Sequence, residues 1–354
     1  MKRIHLLSFV CLLLVSGCTP IGPATIEHDR FKYSSAIAES WKEMMLLNIV
    51  KLRYGDAPVF LEVGSIVNQY TLERQLEAAA TLRSGDLVGD GLEFGGSGKF
   101  SDRPTVTYSP LMGEKFSKSL LTPIPPHALF MLIQSGWNTD FILRICVSAI
   151  NDLYNRSGRR LTTRRADESF DQLLEHLSAI QQAGGLGARM IEREGNRSII
   201  YFKHQLDKDL QHHVREAVRL LGLNAKKHEF RLVYGTTAAT DDEIAVLTRS
   251  MLDIIAELAQ NVEVPRQHVQ ENRASPGITE KTGTLSEMRS RIQIKSDAHE
   301  PADAFLAVRY RDHWFYIDDT DFRSKRMFSF LLFLLSLAEG GSQGLSPVLT
   351  LPAG

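Results

Sequence analysis

Few residues in this chain are spaced for chemistry, and each set has a simpler structural use. Gly340-Gly341-Ser342-Gln343-Gly344 carries the letters of a nucleophile elbow. That turn needs a strand before its serine and a helix after it. Here a helical pattern precedes and an extended segment follows, so the glycines read as a helix stop. Gly95-Gly96-Ser97-Gly98-Lys99 lacks the spacing, and the Ser or Thr after lysine, of a phosphate loop. Asp318-Asp319-Thr320-Asp321 is the densest carboxylate group, but it lacks the spacing and closing glutamate of a calcium loop. Capping the helix that follows explains it more simply. His212 and His213 adjoin on a predicted helix and point about 100° apart, which makes a poor chelating pair. Cys146 falls on an apolar helical face with Phe141, Ile142, Ile145 and Ala149, the setting of a buried inert thiol. No H-E-x-x-H, C-x-x-C or paired-carboxylate pattern occurs. The expectation is a non-enzymatic chain with no catalytic residue, metal or cofactor.

The first eighteen residues are more specific. Lys2 and Arg3 precede an apolar run from Ile4 to Val15, and the run ends in Val15-Ser16-Gly17-Cys18. A basic start, a short greasy middle and small residues are the layout of a secretory leader. The run is too short to span a bilayer, which takes about 20 residues. With its aliphatic, two small residues and cysteine, the stretch resembles the leader of a bacterial lipoprotein. The alternative is an ordinary cleaved leader with a chance cysteine. The resemblance implies a signal peptide over 1–17, a diacylglycerol on the Cys18 sulfur and an acylated, palmitate-type amino terminus. Residues 18–33 then form a lipidated tether. Two or more acyl chains hold a protein stably at a membrane, whereas one does not. Thr19, in place of an inner-membrane retention aspartate, points to the outer membrane, periplasmic face.

The remaining chain of about 335 residues suffices for two domains or one large one. Lys and Arg number 41 against 42 Asp and Glu, which argues against a dedicated nucleic-acid binder. Of three cysteines, Cys11 leaves with the leader and Cys18 carries lipid. Cys146 has no partner for a disulfide, so the core must suffice alone.

Tyr70–Arg83 and Leu92–Tyr108 carry the clearest pattern. In the second segment, eight of the nine even positions from Leu92 to Tyr108 are apolar or glycine, while seven of the eight odd ones are polar. Such alternation reads as a strand, and the glycines disfavour a helix. The first segment suits helix or strand by itself, and pairing decides for a hairpin. With Arg83 opposite Glu93, Glu77 meets Lys99, Arg74 meets Asp102 and Glu73 meets Arg103. Four opposite-charge pairs at about 0.2–1 kcal/mol each favour that register. A hairpin over 70–108 would reach about 45 Å at roughly 3.3 Å per residue, and a lone two-stranded ribbon is marginal. It must therefore lie on its own domain or against neighbouring copies. Closed into a ring of copies, its apolar face would meet lipid and its charged face water. Pro104 suits a rim or an edge.

Around the hairpin, Ser34 or Ser35 is expected to cap a helix to about Arg53, with Ile37, Trp41, Met44, Met45, Asn48 and Leu52 inward. Further helices are expected around 114–121, 127–134 and 139–154. Residues 156–166, with five arginines from Arg156 to Arg165, read as a basic linker or a contact for anionic headgroups. Beyond it, helices over 167–182, 207–221, 241–260 (boxed by Thr240 and Glu243) and 324–339 alternate with strands near 188–193, 197–204, 229–234, 291–295, 304–311, 314–318 and 347–351. The fold class is α+β: a helical region with a long hairpin over 34–155, then a mixed-sheet domain over 167–354.

The segments from Asn48 to Phe60, Arg103 to Tyr108, Trp314 to Asp319 and Pro347 to Pro352 resemble segments of uncharacterised bacterial lipoproteins. The resemblance implies a location and supplies no activity. The leading expectation is a non-enzymatic envelope-scaffold or assembly component. Its partners are the membrane through the lipid, and homo-oligomeric or envelope-protein contacts. An oligomeric outer-membrane channel to which each copy lends the hairpin is the alternative, and an envelope hydrolase is the least favoured.

Overall fold

The computed structural model describes residues 21–67, 70–81, 91–102, 105–156, 166–191, 197–203, 207–275 and 292–339. Helix α1 (Ile21–Arg53) leads into four strands: β1 (Leu61–Val67), β2 (Tyr70–Thr81), β3 (Gly91–Asp102) and β4 (Thr105–Pro110). A short α2 (Gly113–Phe116) and a π-turn (Ser117–Leu121) precede α3 (Pro126–Gln134) and α4 (Thr139–Cys146). Next come β5 (Val147–Ile150), β6 (Leu153–Tyr154), α5 (Glu168–Gln182), β7 (Leu186–Ile191), β8 (Arg197–Phe202), α6 (Lys208–Leu220), β9 (Glu229–Tyr234) and β10 (Glu243–Thr248). The chain closes with α7 (Met251–Ala259), α8 (Arg266–Gln270), β11 (Lys295–Asp297), β12 (Ala304–Tyr310), β13 (His313–Asp318) and α9 (Phe322–Glu339).

The α+β class holds, with a six-stranded mixed sheet in the order β6-β5-β10-β9-β8-β7 and a three-stranded antiparallel sheet β11-β13-β12. Among the described strands only β9 and β10 pair in parallel, and Val262 and Ile294 form an isolated parallel bridge. The expected division at 156–166 is corrected by the sheet itself. Strands β5 and β6 precede that stretch and β7 to β10 follow it, yet all six share one sheet. Side chains from Met45 to Leu334 form one buried cluster across it. A polar, basic run was a plausible boundary, but sheet pairing crosses it.

Three helix boundaries move for identifiable reasons. Helix α1 starts at Ile21, so Ser34 and Ser35 lie inside it and the expected tether is helical from Ile21 onward. Its buried side is Met45, Leu46, Ile49 and Val50, while Trp41 is 42% exposed. Gly55 ends it at φ +77°, with Asp56 N–H donating to Lys51 O at 2.9 Å, a Schellman-type stop. The expected helix over 139–154 stops at Cys146. Arg249, itself buried, donates to Arg144 O and Ile145 O at 3.0 Å each, and Asn155 donates to Arg144 O at 2.9 Å. These donors use up the last-turn carbonyls, and Val147 to Ile150 continue as a strand. The expected helix over 241–260 is instead β10 followed by α7, and the capping box is Ser250 with Asp253. Every residue of β10 but Leu247 is buried, and an apolar run buried on both faces has no period to separate strand from helix.

Candidate assembly element: the hairpin and its root

The chain enters the hairpin through a corner that bonds to distant parts of the body. Asn48, buried in α1, holds Val59 with both ends of its amide: Nδ2 donates to Val59 O at 2.7 Å and Oδ1 accepts from Val59 N–H at 2.9 Å. The side chain thus replaces a partner strand two residues before the ladder begins at Leu61. Phe60 and Leu111 are buried, and Leu111 N–H donates to Phe60 O at 2.9 Å, which closes the root from the other side. Arg53 donates to Val262 O at 3.1 Å and also to Ser275 Oγ. Asp56 accepts from Tyr310 Oη and from Arg311 at 2.8 Å.

Tyr54 sits at the centre of this corner. Its hydroxyl lies 2.7 Å from His268 Nδ1, and its ring packs edge-on against His268, Tyr310 and Phe315. Burial first, against the opposing pull of Arg311, pushes the phenol up to about 12. Burial and then His313 hold His268 below its ordinary value. Both groups are therefore neutral near pH 7, and a single hydrogen bond joins them. Arg311 and Asp312 take positive φ values of 47° and 64° in the two-residue turn between β12 and β13, the primed-turn geometry. Arg311 is kept there by its bond to Asp56 and by the Tyr54 ring, 5.0 Å from its guanidinium. A side chain in that conformation costs free energy, which the two contacts offset.

From this root rises a two-stranded ribbon. Leu61 faces Pro110 and Val63 faces Tyr108; the register shifts once, between Val63 and Ser65, with Gly64 as the extra residue. Val67 then faces Thr105, and three positions on along both strands Tyr70 faces Asp102. The β2–β3 ladder runs over twelve pairs to Thr81 and Gly91. At about 3.3 Å per residue it extends roughly 40 Å. Among the described residues, β1 pairs only with β4 and β2 only with β3.

The register corrects the predicted charge pairs. Glu73 faces Lys99, Arg74 faces Gly98, Glu77 faces Gly95, Glu93 faces Ala79 and Asp102 faces Tyr70. Arg83 and Arg103 lie outside the described residues. The offset from prediction is four positions, an even number, so each residue stays on its expected face. Cross-strand charge pairs worth about a few tenths of a kcal/mol each do not by themselves fix a register.

Beside the root is an open groove of about 520 Å³ lined by Trp41, Met44, Leu47, Val59, Leu61, Tyr108 and Trp314 among others. Tyr108 is 55% exposed.

Several of the residues whose spacing suggested chemistry make structural bonds. Asp318 accepts from Thr320 N–H at 2.9 Å and pairs with Lys295 at 3.0 Å. Those bonds, Thr320's first, hold its carboxyl well below the usual range. Asp321 accepts from Ser324 N–H at 3.1 Å at the start of α9, and Asp319 pairs with Lys325 at 2.6 Å. Cys146 is fully buried, and burial pushes its thiol up to about 12. Gly95 to Lys99 are part of β3. Cys18 and residues 340–344 lie outside the described residues. Among the described residues no three His, Cys, Asp or Glu side chains are grouped to hold a metal ion, and no helix is long and apolar enough to cross a membrane. The reading by sequence missed the corner from Asn48 to Phe60 as a unit. Its density of Asn, Arg, Tyr, Gly and Asp after a helix was the available signal.

No family model, curated protein or solved structure matches the chain. The geometry alone carries the argument about function.

Proposed function

We propose that the chain is a lipid-anchored protein of the bacterial outer membrane, held at the periplasmic face through Cys18, and that it acts as a non-enzymatic assembly component. The body is a platform, and the ribbon is the element that joins it to neighbouring copies or to envelope proteins. One observation carries the reading. Two successive two-stranded ladders, β1 with β4 at a braced root and β2 with β3 after them, have no third strand beside them among the described residues. An isolated two-stranded ribbon is marginal in water, and an open strand edge is a template for another strand. The lipoprotein-like leader supports the location, and the structural use of the carboxylates and the thiol supports a non-enzymatic role.

A second reading is favoured by the alternation along the ribbon. The register places Leu72, Leu76, Ala78 and Ala80 on one face with Phe100, Phe94 and Leu92, and Glu73 and Glu77 on the other with Lys99 and Glu93. A ring of such ribbons would turn the first face to lipid and the second to a water-filled lumen. The scaffold then becomes a channel whose subunits each lend one hairpin.

The test is the size of the lipidated chain extracted in mild detergent, with and without residues 70–102 replaced by a short turn. The full chain is expected as an oligomer, and the shortened one as a folded monomer. A full chain that stays monomeric at all concentrations contradicts the proposal. Planar-bilayer conductance that changes ion selectivity on Lys99→Glu separates channel from scaffold.

A further inference from the structure

Three imidazoles meet where α5 packs on α6. His176 belongs to α5, His212 and His213 to α6, and His176 Nδ1 lies 2.8 Å from His213 Nδ1. Ring centroids are 5.1 Å apart for His176 and His213, 6.2 Å for His176 and His212, and 5.9 Å for the adjacent pair. The adjacent histidines still splay apart, as helix geometry requires. The partner that the sequence could not supply comes from the other helix.

A single proton can occupy the gap between two Nδ1 atoms, and so can a metal ion. Two imidazole nitrogens bound side by side at roughly 2.0–2.1 Å from a zinc-class ion lie about 3–3.5 Å apart. Opening the pair by a few tenths of an ångström would admit one. The helices that carry the rings are held firmly. Leu173, Leu174 and Leu177 of α5 and Ala217 and Val218 of α6 are buried, so the backbones keep the rings facing each other. Glu216 follows His213 by three residues and His212 by four, so it rises from the same side of α6. Its carboxylate accepts from Arg219 Nε at 2.8 Å. Imidazole donors favour zinc, nickel or copper over magnesium or calcium.

We propose that His176 and His213 form a two-imidazole site for a borderline divalent cation of the zinc class, which clips α5 to α6. As placed, the described residues offer no third ligand at that point. Water completes the shell, or Glu216 does so after turning from Arg219. The proposal is independent of the assembly reading, since it concerns the body alone.

Zinc titration of the detergent-solubilised full chain, followed by calorimetry and by thermal melting with and without EDTA, tests it. One equivalent is expected to bind and to raise the melting temperature, and EDTA should reverse the rise. His176→Gln and His213→Gln should each weaken binding by about tenfold or more, while His212→Gln changes it little. Copper loaded in place of zinc should show hyperfine coupling to two nitrogens in the wild type and one in His213→Gln. Should His176→Gln fail to fold by circular dichroism, the half-buried His213 variant and the wild-type copper spectrum decide. Equal zinc affinity in wild type and His213→Gln, or a copper spectrum without two nitrogens, overturns the site.

Discussion

The body and the ribbon satisfy their backbones in different ways. In the body, polar groups find partners from far along the chain. Gln181 ties α5 to the α3–α4 junction by accepting from Thr139 N–H at 2.9 Å and donating to Ile133 O at 2.7 Å. Asn151 accepts from Ala245 N–H at 2.6 Å and donates to Leu221 O at 2.8 Å. In the ribbon, the described strands pair within two-stranded ladders only. The body holds itself together through long-range contacts. The ribbon takes its position from the root and leaves its outer edges to something else. That contrast is the reason to place the function in the ribbon rather than in a pocket.

The contrast is sharpened most by breaking the body where it is most self-contained. Arg249→Ala removes a buried guanidinium that donates to Arg144 O, Ile145 O and Arg156 O. Three carbonyls lose this donor, with Asn155 Nδ2 left on Arg144 O, and the expected cost is about 3 kcal/mol in urea unfolding. Assembly through the ribbon should persist in whatever fraction stays folded. A cost below about 0.5 kcal/mol would mean that water replaces the arginine freely.

Asn48→Ala should cost less, about 2 kcal/mol, because two bonds to one residue are lost. Its effect should concentrate at the root. Amides from Val59 to Leu61 are expected to exchange faster, while β5 to β10 keep their protection. Uniform loosening of the whole body would break the distinction between a braced root and an independent core.

These two sites also mark what could be read without a structure. The α+β class and most elements after residue 167 follow from period and turn chemistry. The alternation over 92–108 identified a strand because one face is polar and the other is not. The failures have physical causes. Val147 to Ile150 and Glu243 to Thr248 are short apolar runs in a sheet covered on both sides, where burial erases the period. The register was predicted from charges, and cross-strand charge pairs are too weak to fix one alone. Asn48 looked like one more inward helix position. Its two bonds to Val59 depend on a chain reversal at Gly55 that no spacing rule conveys. His176 lies 36 residues from His212, so their meeting is a product of helix packing.

The smallest effect expected is on pH dependence. His268 and His176 are both held below their ordinary 6.5, chiefly by burial. The unfolded chain then binds more protons than the folded one just below that value. Body stability should therefore be level above about pH 6.5 and fall as acid is added, as thermal melting from pH 8 to 5 would record. Asp56 has the opposite origin but the same direction. Tyr310's hydroxyl, then Arg311, holds its carboxyl low, so its contribution is lost only at more acid pH. Stability that rises on acidification from pH 7 to 5 would remove the corner at Tyr54 and His268 from the account.

The central claim is that the ribbon draws its order from beyond its own two strands. Hydrogen exchange over Tyr70–Thr81 and Gly91–Asp102, compared between the chain in native membranes and the dilute detergent-dispersed monomer, addresses it most directly. The account predicts slow exchange in membranes, including the outward-facing amides, and exchange within seconds in the monomer, while β5 to β10 stay protected in both. Equal, strong protection of the ribbon in both states would contradict it.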